Sequence, residues 1–179
     1  TNQDYLRAVE NRSLRHEFVR DIDLGDIGQY VTNLSYSPRI GYGTLMSTQR
    51  RKAKMSEIVV FPEAFKEDFH PTFNDFLGTL VYHEGFHAKE NFEDDESEIK
   101  ELGIFTLDIL EMLLLRFPMS ILKNDKQQII KSRIWKEKFE SEFRAYDNQL
   151  AHITDGNYSD SYVNKIREIY EKHKTEYRE

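Results

Sequence analysis

The sequence predicts an α+β fold that is predominantly α, and three observations predict it. Short extended runs are confined to the segment between Gly28 and Pro62; an apolar stripe with helical period begins after Pro71; and from Asp95 onward the patterning is almost wholly helical. A chain of 179 residues is the size of one domain and is long enough to bury a core without staples.

Taken in order, Gln3 to about Val19 carries Leu6, Val9, Leu14 and Phe18 in a mixed-charge background, the pattern of one or two short helices. Gly25 and Gly28 punctuate the chain, and three β-prone runs follow at 30–34, 43–47 and 57–61, a sheet of about three strands. The third run stops at Pro62, because a residue before proline avoids the helical region and proline offers no N–H. Arg50-Arg51-Lys52-Ala53-Lys54 falls between two strands and reads as a solvated hairpin tip, with a contact for acidic substrates or an anionic surface as its other reading. Pro71, at a first helical position, opens a helix through about Asn91, in which Phe73, Phe76, Leu77, Leu80, His83, Glu84 and His87 continue one stripe. The acidic run Glu93-Asp94-Asp95-Glu96 suits the first turn of the next helix. Helices are expected over about 96–116, ending near Pro118, over about 124–153, and over about 159–176 after the Asp155-Gly156-Asn157 break.

Composition narrows the function. The net charge of −7, from 32 acidic against 25 basic residues, speaks against a nucleic-acid or anionic-membrane binder, both of which need a positive footprint. No run approaches the roughly 18 apolar residues of a membrane span. With no cysteine, any transition metal must be held by His, Asp and Glu. The chain starts at Thr1 without a Met or an apolar leader, which suits a secreted or periplasmic protein whose leader has been removed, or a chain trimmed for expression.

The stretch Val81-Tyr82-His83-Glu84-Gly85-Phe86-His87 contains H-E-x-x-H. Residues four apart share one helix face, so both imidazoles can point at a single ion while Glu84 lies beside it. Neutral imidazoles hold a borderline-soft cation without cancelling its charge, so zinc in this setting can acidify water to a pKa of about 7, and Glu84 can take the proton as general base. The rival reading is a chance pair of histidines on a buried face, in a chain with six.

A catalytic site of this kind needs a third ligand. On the helix that contains Trp135, Phe139, Glu142, Tyr146 and Gln149 these residues fall on one stripe, and Glu142 interrupts it. A carboxylate turned toward a core costs several kcal/mol unless it is paired or metal-bound, which makes Glu142 the leading candidate; a rim pairing with Arg144 or a lysine is its other reading. Two rivals stand beside it. Glu93 lies six residues after His87, where H-E-x-x-H-x-x-G-x-x-H has its last ligand, but Glu90 replaces the glycine of that turn. Glu111 lies in an apolar run beside Arg116. Glu84-x-x-His87 is also half of a di-iron signature, which needs a second such pair on a facing helix; the chain's other E-x-x-H, Glu67-x-x-His70, stands just before Pro71 and outside the expected helices.

With His83, Glu84 and His87 on one helix and Glu142 in an E-x-x-A-Y context on another, the chain resembles the gluzincin zinc metallopeptidases over roughly Glu57 to Gln149. The resemblance implies a compact zincin-like fold and one Zn2+ per chain on His83, His87 and Glu142. It also implies a peptide or protein substrate, with Glu84 as the catalytic base. It implies an edge strand, here 57–61, that pairs with extended substrate, and a Tyr, His or Arg that steadies the developing oxyanion, for which Tyr146, His152 and Tyr158 are candidates. The family often carries an Asp four residues after the ligand Glu to support a zinc-binding histidine; Tyr146 holds that place here, with Asp147 next and Asn148 as a possible substitute. The expected organisation is a single catalytic domain over 1–179, with 1–94 as an N-terminal lobe bearing the sheet and the motif helix, and 95–179 as a helical lobe bearing the third ligand. A non-catalytic metal-binding or scaffold protein of the same shape is the alternative. Substrate specificity and oligomeric state are not expressed in the sequence.

Overall fold

The computed structural model describes residues 1–39, 43–51, 54–93, 125–153 and 156–176, with side chains for all of these except 125–135 and 176. The expected helix over 96–116, its acidic start at Asp94 to Glu96, and the rival ligand Glu111 lie outside the described residues. The architecture is α+β and mostly helical, with one three-stranded sheet.

The N-terminal expectation of two short helices holds, as α1 (Asn2–Glu10) and α2 (Arg15–Arg20). Thr1 caps α1 in a capping box with Asp4, satisfying orphan N–H groups of the first turn. Arg15 is buried, yet its guanidinium donates to the carbonyls of Ala8 (2.9 Å) and Val9 (3.2 Å) and lies over the Phe65 ring, clipping α2 to the end of α1. Tyr5, Phe18, Phe65, Phe73 and Phe76 form an aromatic cluster at the centre of the core, with ring centroids 5.5–6.2 Å apart.

The three strands are β1 (Val31–Tyr36), β2 (Met46–Arg50) and β3 (Ser56–Val60). Their spatial order is β1-β3-β2, with β3 parallel to β1 and antiparallel to β2. This corrects the expectation that 57–61 is an edge strand. Alternation at Ser56, Ile58 and Val60 buries one face of β3, and both of its backbone edges are taken, so among the described residues the outer strands are β1 and β2. The second run begins three residues later than expected, after Gly43 turns the chain with φ +94°. The basic run does lie at the β2–β3 hairpin, where the Arg51 guanidinium donates to the Glu57 carboxylate at 2.7 Å through Nε.

The motif helix also departs from expectation at its start. Pro71 precedes the helix rather than opening it; Thr72 is the N-cap, boxed with Asp75, and α3 runs Phe73–Gly78. The chain then widens into a π-helical stretch, Thr79–Glu84, before α4 (Gly85–Glu93) resumes α geometry. Such wide turns are rare and occur mostly where a functional group must be re-aimed. Two long C-terminal helices follow, α5 (Asp125–Ala151) and α6 (Asp160–Glu176), matching the expected spans closely. No helix among the described residues is long and apolar enough to cross a membrane.

Two buried polar systems join α6 to the motif helix. Asp75, fully buried, accepts hydrogen bonds from Thr72 N and Oγ and from Ser159 N and Oγ at 2.8–2.9 Å, so one carboxylate serves the starts of both α3 and α6. The second is a chain with a fixed direction. His70 Nδ1 faces the Ala64 carbonyl at 2.7 Å and must donate to it; His70 Nε2 therefore accepts from the Thr79 hydroxyl (2.8 Å), Thr79 from Tyr162 (3.0 Å), and Tyr162 from Gln149 Nε2. This order requires a neutral His70, and burial pulls its pKa from 6.5 down to about 4.

A depressed histidine pKa contributes stability that is full above the unfolded value of 6.5 and is lost as pH falls toward 4. The loss reaches roughly 3 kcal/mol. Urea unfolding is expected to weaken by that amount between pH 7 and pH 4 more steeply in the natural chain than in His70→Gln. Parallel pH profiles for the two proteins would show that His70 is not responsible.

Candidate metal centre

The π-helical stretch and α4 bring His83, Glu84 and His87 to one face, and α5 brings Glu142 opposite them. His83 Nε2 lies 3.3 Å from one Glu142 oxygen and His87 Nε2 lies 3.6 Å from the other. One ligand atom from each residue falls within 4.8 Å of the others, and the group could hold a metal ion; it is the one such group of His, Asp and Glu among the described residues. The donor set fits a cation that takes nitrogen and oxygen together. His87 Nε2 is buried and has no hydrogen-bond partner among the described residues, an arrangement that costs free energy unless something else engages that nitrogen.

Electrostatics follow from this convergence. Burial pushes the Glu142 carboxyl upward, but the His83 and His87 imidazoles facing its two oxygens outweigh it, and the net pKa is far below the usual carboxylate range. Burial pulls His87 downward, while Glu142 and Glu90 reverse the effect and lift it to about 9. A cation entering at neutral pH therefore has to displace a proton from His87.

Around this core the fold supplies supports that sequence patterning does not express. Thr48, in the middle of β2, donates to Glu84 Oε2 at 2.7 Å, so the edge strand holds the carboxylate that follows the first histidine. Gly85 is needed where the motif helix crosses the Gly25–Gln29 turn: a Cβ there would lie 2.7 Å from Ile27 Cγ2. Asn148 donates to the Tyr82 carbonyl at 2.7 Å, fixing the backbone ahead of His83 rather than its ring. Burial and the charge of Asp147 raise the pKa of Tyr170, and His83 Nδ1 has no hydrogen-bond partner among the described residues. The support that a carboxylate near Glu142 would give to His83 is thus not supplied by Asp147 or Asn148.

The remaining candidates separate cleanly. The Tyr146 ring lies against His83, with centroids 4.4 Å apart; burial and the nearby charges of Glu142 and Glu84 push its pKa up, so its phenol stays protonated. His152 turns away, stacking on Tyr82 and bonding the Asn148 carbonyl, and Tyr158 packs on Gly78 and Gly156. Glu93 is exposed on a continuing helix and pairs with Lys89 at 3.8 Å, outside the cluster. Ser141 and Thr48, which touch His87 and Glu84, carried no sequence signal beyond Ser141 standing next to Glu142.

No protein-family model, curated protein or solved structure matches this chain.

Proposed function

We propose that the chain is a zinc-dependent peptidase whose metal ligands are His83, His87 and Glu142 and whose general base is Glu84. The observation that carries this is the convergence of two imidazole Nε2 atoms and one carboxylate within 4.8 Å; Glu84 follows His83 in the chain and its charge acts on His87. The resemblance to gluzincins, stated on the H-E-x-x-H and E-x-x-A-Y residues, supports the same assignment.

Zinc, when bound, would supply the Lewis acidity that lowers the pKa of water and polarises a scissile carbonyl. Glu84 takes the proton from the attacking water and returns it to the leaving amine, which converts a poor leaving group into a neutral one. Thr48 keeps the Glu84 carboxylate aimed by one hydrogen bond. Tyr146, held protonated with its ring against His83, takes the role of donor to the negative charge that develops on the carbonyl oxygen. Among the described residues β2 has one neighbour in the sheet, and it is tied to Glu84 through Thr48, so its outer edge is the place for an extended substrate to pair.

Elemental analysis of the purified protein tests the first half. About one zinc per chain is expected, lost in His87→Ala. Incubation of the zinc-loaded protein with an unfolded polypeptide, with and without chelator, tests the second. No zinc uptake refutes the metal centre. Retained zinc with no cleavage of any unfolded polypeptide favours the non-catalytic alternative.

A further inference from the structure

Resting on the metal centre proposed above, we infer that Ser141, Glu90 and Arg144 form a positioning relay that sets the tautomer and aim of His87. The Ser141 hydroxyl lies 3.1 Å from His87 Nδ1 and 2.8 Å from Glu90 Oε2, and the other Glu90 oxygen accepts from Arg144 Nε at 2.7 Å.

The direction of the relay follows from counting protons. A hydroxyl has one hydrogen, and an ionised carboxylate can only accept, so the Ser141 hydrogen goes to Glu90. The Ser141 lone pair then faces His87 Nδ1, which has to carry a proton and donate. An imidazole with its proton on Nδ1 presents its free lone pair on Nε2, the atom that faces Glu142 and has no other partner among the described residues. Arg144 pairs with the other oxygen of Glu90, which keeps it an accepting carboxylate.

The layout gives adjacent residues of one helix two different tasks. Glu142 closes the metal centre, while Ser141, one residue earlier on α5, reaches the far nitrogen of the same histidine. Glu90 stands three residues after His87 on α4, one turn along the same face. The relay therefore couples the ligating helix α5 to α4 at the point where His87 must not rotate. It supports His87 rather than His83.

Zinc titration into the metal-free protein, with a competing chelator, tests this on the natural chain, Ser141→Ala and Ser141→Thr. Ser141→Ala is expected to bind zinc about 10–100-fold more weakly, with Ser141→Thr restoring most of the affinity, because outer-shell partners of ligating histidines carry effects of that size. Nitrogen-15 NMR of the zinc-loaded natural protein should place the His87 proton on Nδ1, a readout that holds even if Ser141→Ala fails to fold. Unchanged affinity in a folded Ser141→Ala overturns the relay and leaves the metal centre standing, whereas a proton on Nε2 overturns both the relay and the assignment of His87 Nε2 as a ligand. No zinc uptake by the natural chain overturns both.

Discussion

Glu84→Gln is expected to bind zinc as the natural chain does and to lose peptide hydrolysis by about 10²–10⁴-fold, the range that a positioned general base contributes. Glutamine keeps the size of the side chain and an oxygen that can accept the 2.7 Å bond from Thr48, so the site stays in place while the proton acceptor is removed. Metal content and hydrolysis rate, measured on one preparation, separate the two effects. Full activity in this variant would remove Glu84 from the base role and leave the metal centre as a binding site only. A variant that also loses its metal would show that Glu84 helps to build the site.

Glu142→Ala is expected to weaken zinc binding by more than the 10–100-fold of an outer-shell loss, since a ligand is removed. It also has a metal-free signature. Glu142 has a lowered pKa and His87 a raised one, so their attraction is fully present between the unfolded carboxyl value of 4.5 and the unfolded histidine value of 6.5. It fades as pH falls below 4.5, where the unfolded carboxyl binds protons that the folded one does not, and as pH rises from 6.5 to about 9, where folded His87 gives up its proton. The metal-free natural chain should therefore lose stability between pH 6.5 and 9, and Glu142→Ala should flatten that limb. Unfolding midpoints for the two proteins across this range decide it; the same slope in both would place the source of the His87 shift elsewhere.

The parts of this molecule that were legible in the sequence are those set by local periodicity and by chemical type. The spans of α5 and α6, the hairpin at the basic run, and the choice of Glu142 as the carboxylate meeting His83 and His87 all follow from stripes and breakers within a short window. What failed was topology. Three β-prone runs do not state their spatial order, so 57–61 was expected at the edge whereas β3 lies in the middle. The helix start failed because Pro71 looked like a first helical residue, while Thr72 with Asp75 made the stronger capping box. Thr48 and Ser141 act on Glu84 and His87 from distant segments through a single hydroxyl each, and a lone hydroxyl leaves no pattern to read.

The wide turn at Thr79–Glu84 changes what the four-letter motif means. Each residue of an α-helix advances about 100° around the axis, and a π turn holds an extra residue in the loop, so the two halves of this rod are set at independent azimuths. The first half is phased by packing: Phe76 in the aromatic cluster, Gly78 against Tyr158 and Tyr162, and Thr79 on His70. The second half is phased by Glu142. Were the same residues to run as one regular α-helix, every letter of H-E-x-x-H would stand in order, but the extra residue would carry both imidazoles about 100° round the axis, away from the carboxylate they face. The site is therefore encoded by the length of the preceding segment as much as by the residues that name it.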